Sequence, residues 1–153
     1  MNGLRTTTLA LAVALASVPA LAQVTVKSAW VRATVPGQKT GAGYMEITSA
    51  RDAVLIGAQS AVAGEADVHE SRMENNVMRM RAVPRLALPA GKTVKFEPGA
   101  YHLMLIDLKH ALTKGESVPL QLRIENKDKS VTTVEVKAEV RDLRAMGSME
   151  MHK

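Results

Sequence analysis

Apolar and polar residues alternate in short runs along most of the chain after residue 23. The alternation is clearest at residues 118–124 and 134–140, where every second side chain is apolar. A period of two is typical of a β-strand that buries one face. The pattern predicts strands at 24–32, 43–48, 53–59, 68–73, 77–83, 93–97, 101–107, 118–124 and 134–140. Since turn residues separate these runs and no helical period is sustained, we expect an all-β antiparallel sandwich or barrel.

The first 22 residues have a different pattern. Arg5 is the only charged residue among them, an unbroken apolar run follows at 9–16, and Ala20-Leu21-Ala22 comes after Pro19. A basic start, a short apolar run and an A-x-A ending are typical of a cleaved secretory signal peptide. The run is shorter than the roughly 20 apolar residues of a membrane span. We therefore expect a signal peptide at 1–22, a periplasmic location and no membrane span in the mature chain.

The composition excludes several classes of site. The 153 residues include no cysteine, which excludes disulfides, zinc–thiolate and iron–sulfur sites, thiol nucleophiles and blue-copper centres. One Trp, two Tyr and one Phe are too few for a nucleic-acid stacking platform, and the lysines and arginines behind the net charge of +5 are scattered among acids. With 46% apolar residues, we expect one packed β-domain at 23–142 and a flexible tail at 143–153.

A hairpin near the middle of the chain contains the first candidate metal ligands. Asn75-Asn76 is a favourable two-residue turn between the predicted strands at 68–73 and 77–83. Such a turn pairs Met73 with Met78 and places His69 diagonal to Met80. Diagonal residues on one face of a strand pair are about 7–8 Å apart, within reach of long side chains. The hairpin therefore offers one imidazole and one thioether on the same face.

A second strand offers the same pair of ligand types. His102 and Met104 are two residues apart and share one face, while Leu103 and Leu105 take the opposite, core face. Uncharged imidazole and thioether ligands suit Cu(I) and disfavour Mg²⁺, Ca²⁺ and Mn²⁺, which prefer oxygen. Taken singly, a methionine in a strand is more often core and a histidine more often a surface residue. The joint placement of two His and two Met is what indicates a copper site.

The spacing of these four residues resembles a known family signature. Ten residues separate His69 from Met80, twenty-one separate Met80 from His102, and one separates His102 from Met104. This His-x10-Met-x21-His-x-Met pattern is that of the PCu(A)C family of periplasmic copper chaperones. The surrounding sequence is also similar to that of the family, at Ala29–Ala33, Gly41–Tyr44, Met73–Arg81 and Pro98–Leu105. The resemblance covers roughly residues 24–141.

The resemblance implies a fold and a function. It implies a cupredoxin-like antiparallel β-sandwich of Greek-key type that binds one Cu(I) through His69, Met80, His102 and Met104. It also implies delivery of copper to the copper centre of cytochrome c oxidase, beside a Sco-type thiol protein, by a monomer that is not an enzyme. Within the family a methionine often follows the first histidine closely, whereas Glu70 and Ser71 occupy that region here.

The remaining methionine and histidine residues are weaker candidates. Met73 and Met78 share the face of the predicted hairpin and are either rim packing or an outer shell of the site. Four residues of the tail could bind additional copper: Met146, Met149, Met151 and His152. Flexible thioethers suit capture and release of Cu(I), and His152 would be the first contact for Cu(II). The alternative is a frayed terminus with accidental methionine content. His110 is expected to be a surface loop residue, and Trp30 a core residue.

Three functions are consistent with these observations. The first is a copper carrier that loads and delivers one ion. The second is a copper storage or resistance protein, in which the tail would matter more than the strand site. The third is a structural or adhesive periplasmic domain in which the His and Met positions are coincidental. An enzyme is poorly supported, since the sequence has no G-x-S-x-G elbow and no carboxylate pair at a meaningful spacing.

Overall fold

The computed structural model describes residues 23–142, which form ten β-strands and no helix. The strands are β1 (Val24–Arg32), β2 (Thr40–Ser49), β3 (Ala53–Ser60), β4 (Ala63–Glu74), β5 (Val77–Ala82), β6 (Leu86–Leu88), β7 (Thr93–Phe96), β8 (Tyr101–Leu108), β9 (Ser117–Asn126) and β10 (Val131–Arg141). The predicted all-β fold is confirmed, and all nine predicted strands are present. The predicted signal peptide and the predicted tail lie outside the described residues, so both remain predictions.

The strands form one sheet that closes on itself. The ring runs β2–β1–β10–β9–β3–β4–β8 and returns to β2 through a direct β8–β2 pairing. β5 extends the sheet beyond β4, β6 beyond β3, and β7 lies between β2 and the start of β8. Most pairs are antiparallel, as predicted, but β1 and β10 pair in parallel, and a single parallel bridge joins Phe96 of β7 to Tyr101 of β8. Extended parallel pairing requires a long connection, and the whole intervening chain connects β1 to β10.

The core lies inside the closed sheet and follows the alternation seen in the sequence. In β9, Val118, Leu120, Leu122 and Ile124 are all buried. In β8, Leu103 and Leu105 are completely buried, so the inner face of this strand is part of the core. The outer face of β8 is therefore free to carry other chemistry while the inner face holds the strand in place.

One short strand, β6, was not predicted from the sequence. β6 has three residues, and it pairs with β3 through Leu86 and Leu88, both buried. Three residues are too few to display a period of two, which explains why the pattern did not reveal the strand.

No helix among residues 23–142 combines the length and apolar character required to cross a bilayer.

The β4–β5 hairpin has the predicted turn and register. Asn75 and Asn76 have φ values of 51° and 61°, the left-handed pair of a type I′ turn that Asn tolerates well. Met73 lies opposite Met78, as the sequence predicted. Every residue from 72 to 82 is exposed, so the outer half of the hairpin projects from the closed sheet.

The buried inner face of β8 yields a stability prediction. Leu103→Ala removes a completely buried side chain and should lower the free energy of unfolding by about 2–5 kcal/mol, because a cavity remains. Urea unfolding of the purified domain measures this loss. The control Val131→Ala alters a side chain that is 48% exposed and should change the free energy by no more than about 0.5 kcal/mol. Equal effects of the two substitutions would contradict the assignment of the core face.

Candidate metal centre

The two histidines of the predicted site face each other across two neighbouring strands. His69 in β4 is the direct register partner of His102 in β8. Their ring centroids are 5.8 Å apart, with the ring planes tilted by 59°. Direct partners in an antiparallel pair point to the same face of the sheet. Val68 and Leu103, one position along each strand, pair in the same way and are buried in the core.

The two methionines lie on the same outer face. Met80 in β5 is opposite Ser71, which places it diagonal to His69, as predicted. Met104 follows His102 by two residues and is partly buried. Met80, His102 and Met104 line one cavity of about 500 Å³, and the imidazole of His69 lies beside that of His102. The structure therefore brings all four sequence-predicted residues together on three adjacent strands.

The hydrogen bonds of His102 leave one ring nitrogen available. Its Nδ1 lies 3.4 Å from the backbone oxygen of Ala100. A carbonyl oxygen can only accept, so this long hydrogen bond requires the proton on Nδ1. The lone pair is then on Nε2, which is the nitrogen that a metal could bind. In metal sites, a ligating histidine commonly donates its other ring N–H to a backbone carbonyl, which fixes the orientation of the ring.

His69 carries an unsatisfied polar atom. Its Nδ1 is buried and has no hydrogen-bond partner within residues 23–142. Buried nitrogen atoms are nearly always paired, so an exception calls for an explanation. A metal ion between the two imidazoles would supply the missing partner. The positions of these ring nitrogens therefore fit a bound ion.

Burial keeps the His102 imidazole uncharged. It is 5% exposed, and this burial lowers its pKa below the ordinary value of 6.5. The Ala100 hydrogen bond opposes the shift, and the neighbouring His69 adds to it. Only the neutral ring can bind a metal, so the shift extends the pH range in which His102 is a competent ligand.

A tight turn before β8 positions this imidazole. Ala100 donates its N–H to the Glu97 carbonyl across Pro98-Gly99, and Gly99 has a φ of 85°. This is the geometry of a type II turn, which favours Pro at its second position and Gly at its third. The Ala100 carbonyl also accepts the Ser71 N–H at 3.0 Å, which ties the turn to β4. The Pro-Gly pair in the sequence therefore determines where the carbonyl beneath the imidazole lies.

The opposite wall of the cavity was not predicted. Tyr44 lines it and stacks on Trp30, with ring centroids 4.5 Å apart. Trp30 is buried, as expected of a core residue. Burial raises the pKa of Tyr44, an effect partly opposed by the nearby charge of Arg32, so its hydroxyl is protonated at neutral pH. In the sequence, Tyr44 stands out only as part of the Gly41–Tyr44 stretch that is similar to the family. Its contact with the cavity follows from the register of β2 against β8.

The donor set is soft and uncharged. Nowhere in the described part of the chain do three or more His, Cys, Asp or Glu side chains form a possible metal-binding group. Glu70, next to His69, lies on the other face of β4, where Arg72 and Arg81 bind it at 2.8 and 2.7 Å. Hydrogen bonds from these two guanidiniums lower the pKa of the carboxyl group. Two imidazoles and two thioethers therefore remain, and this set favours Cu(I).

Of the secondary candidates other than the hairpin methionines Met73 and Met78, only His110 lies within the described residues. It is exposed and contacts Glu116 at 2.7 Å, which agrees with a surface loop position. Met146, Met149, Met151 and His152 lie outside the described residues, so their role in binding remains a prediction.

Comparison with known proteins agrees with this architecture. The family profile described as "Putative lipoprotein LpqE-like" matches residues 24–140. "Putative lipoprotein Lxx21020" of Leifsonia xyli subsp. xyli (strain CTCB07) is 33% identical over 115 residues, which is 74% of this chain and 69% of that protein.

Several solved structures are also similar. The copper-bound PCuAC domain from PmoF2 has a TM-score of 0.64 and 22% identity, and the match covers 80% of this chain and 96% of that domain. The solution structure of apo-DR1885 from Deinococcus radiodurans has a TM-score of 0.55 and 28% identity, covering 92% and 96% of the two chains. The CuI-DR1885 structure has a TM-score of 0.54 and 27% identity, covering 84% and 83%.

Fold and site together define a cupredoxin-like β-domain of the PCuAC type, which confirms the family resemblance seen in the sequence. The chain belongs to the LpqE-like family.

The lowered pKa of His102 predicts a pH-dependent stability of the metal-free protein. The folded state binds the proton of this ring less tightly than the unfolded state does. Its stabilising contribution is therefore complete above about pH 6.5 and declines as the pH falls below that value. Urea unfolding at pH 7.5 and 5.5 measures the decline, which should be smaller in His102→Gln. An NMR titration midpoint for His102 at or above 6.5 would refute the prediction.

Proposed function

We propose that this protein is an exported, non-enzymatic copper chaperone that carries one Cu(I) ion. The ligands would be His69, Met80, His102 and Met104. One observation carries the proposal: these four residues meet on one face of three adjacent strands, and a buried nitrogen of His69 has no hydrogen-bond partner among residues 23–142. Comparison supports it, because PmoF2 has a copper-bound PCuAC domain and DR1885 has a CuI form.

The chemistry of the ligands suits Cu(I) outside the cytoplasm. Thioethers and neutral imidazoles bind this soft ion without adding charge. The protein has no cysteine, so an oxidising compartment cannot close the site by forming a disulfide. A hard divalent ion would find no cluster of carboxylates among residues 23–142.

The arrangement of the ligands suits delivery. His102 is buried, whereas Met80 is 53% exposed at the rim of the cavity. A partner could displace Met80 first and the deeper imidazole later, so the ion would never be released to water. Each exchange replaces one neutral ligand by another and requires no proton transfer. Binding and release of this kind need no catalytic group, which is why we propose a carrier and not an enzyme.

The compartment and the recipient complete the proposal. The signal-peptide pattern at 1–22 and the lipoprotein name of the Leifsonia relative support export, which we place in the periplasm. Following the PCu(A)C resemblance, the recipient would be the copper centre of a cytochrome c oxidase subunit, with a Sco-type thiol protein as a further partner.

Loss of a single imidazole should abolish tight binding. His102→Ala should weaken Cu(I) affinity by more than about 100-fold, since even outer-shell changes at metal sites cost about 10–100-fold. Competition with a Cu(I) chelator measures the affinity, and circular dichroism checks that the sheet is intact. His110→Ala changes an exposed histidine paired with Glu116 and should leave the affinity unaltered. An unchanged affinity in His102→Ala would eliminate the proposed site.

Stoichiometry separates a carrier from a storage protein. The mature chain should bind one tight equivalent of Cu(I), and X-ray absorption should show mixed sulfur and nitrogen ligands. Deletion of residues 146–153 should leave this equivalent in place. Several equivalents that disappear with the tail would instead indicate the storage or resistance function. No tight equivalent at all would leave a structural β-domain as the remaining interpretation.

A further inference from the structure

The two faces of the projecting β4–β5 hairpin differ in chemistry. Met73, Met78 and Met80 lie on one face together with Ser71, and we call the three methionines the thioether face. They are 63%, 51% and 53% exposed. Met45, by contrast, is 2% exposed in the core, which is the usual position of a methionine. The side chains of the thioether face therefore do not serve core packing.

The other face of the hairpin is charged but locally paired. Arg72 and Arg81 bind Glu70, and Arg79 lies 3.3 Å from Glu74. Because side chains alternate between faces, these guanidiniums point away from the three thioethers. The carboxylates of Glu70 and Glu74 also offset part of the positive charge of these arginines. The thioether face is therefore accessible to a small cation despite three arginines on the same two strands.

The spacing allows the three sulfurs to meet at one ion. Met73 and Met78 are direct register partners, so their Cβ atoms are about 4.5–5.5 Å apart. Met80 is two residues from Met78 on the same strand, a separation of about 7 Å. Methionine is unbranched and has three rotatable side-chain bonds, which lets all three reach a common point above the sheet. Three thioethers form a neutral, soft ligand set that suits Cu(I) and not Zn²⁺ or Ca²⁺.

The thioether face is continuous with the candidate metal centre. Met80 lines the cavity that also contains His102 and Met104, and it is the register neighbour of the buried Ser71. Met80 therefore belongs to both groups, with Met73 and Met78 on its outer side. An ion held by the outer group needs to give up only two thioethers and gain three ligands to reach the central site, with Met80 retained throughout.

We propose that Met73, Met78 and Met80 form an all-thioether site that captures Cu(I) at the hairpin and passes it inward through Met80. The ion keeps its charge, no proton is transferred, and each thioether leaves as the neutral group it was. The inward transfer depends on the function proposed above, whereas capture at the hairpin does not.

Residue-specific NMR tests the capture site. The full mature chain, with ¹³C-labelled methionine methyl groups, is titrated with Ag(I), a redox-inert substitute for Cu(I). In the His102→Ala background, the methyl signals of Met73, Met78 and Met80 should still shift. Adding Met73→Leu and Met78→Leu should raise the Ag(I) concentration needed to shift the Met80 signal by at least an order of magnitude. Leucine keeps the volume of methionine but removes the sulfur. The matched control, Val77→Leu, alters an exposed side chain on the charged face of the same hairpin and should preserve the shifts.

The outcomes separate this inference from the function of the central site. Unshifted Met73 and Met78 signals in a protein whose Met104 still responds would overturn the hairpin site and leave the carrier intact. Shifts confined to Met73, Met78 and Met80, with Met104 silent in the wild type, would support the hairpin site and refute the central one. If both sites are present, stopped-flow measurements should show that Cu(I) loads the central site more slowly in Met73→Leu/Met78→Leu than in the wild type, while the final Cu(I) affinity of that site is unchanged. An unchanged loading rate would refute the transfer step.

Discussion

The pairing register of β4 with β8 is the constraint on which the site depends. Val68 and Leu103 pair inward and are buried, so His69 and His102 must pair outward. A slip of β4 by one residue would turn His69 into the core and Val68 toward solvent. The hydrophobic effect thus selects the register, and the register places the two imidazoles side by side. No hydrogen bond between the histidines is required, which leaves Nε2 of His102 and Nδ1 of His69 available for a ligand.

The same principle explains how an exposed hairpin can remain chemically ordered. Beyond Ser71 the strands leave the closed sheet, and no core remains to select one face. The type I′ turn at Asn75-Asn76 maintains the register there, because its twist matches that of the two strands. Ion pairs of Glu70 with Arg72 and Arg81 hold the charged face together. The methionines on the opposite face are exposed, so the charged face and the thioethers are held apart by the same pairing.

Much of this architecture was predictable because it is local or periodic. Alternation over two residues indicated nine of the ten strands, and the Asn-Asn turn determined which residues pair in the hairpin. The three-residue β6 was not predicted, because an alternating pattern cannot be recognised in so few residues. Parallel pairing of β1 with β10 escaped because no local pattern reports the neighbour of a strand that is distant in the chain.

By itself, the sequence determined the strand rhythm and the types and spacing of the candidate ligand residues, since these are properties of the order of residues along the chain. The tertiary structure decided how the hairpin and β8 meet and in what environment. The direct pairing of His69 with His102 and the buried Nδ1 of His69 both depend on strands distant in the chain. So does the Tyr44 wall, which β2 brings to the cavity. Burial and strand neighbours are collective results of closing the sheet, and no local pattern records them.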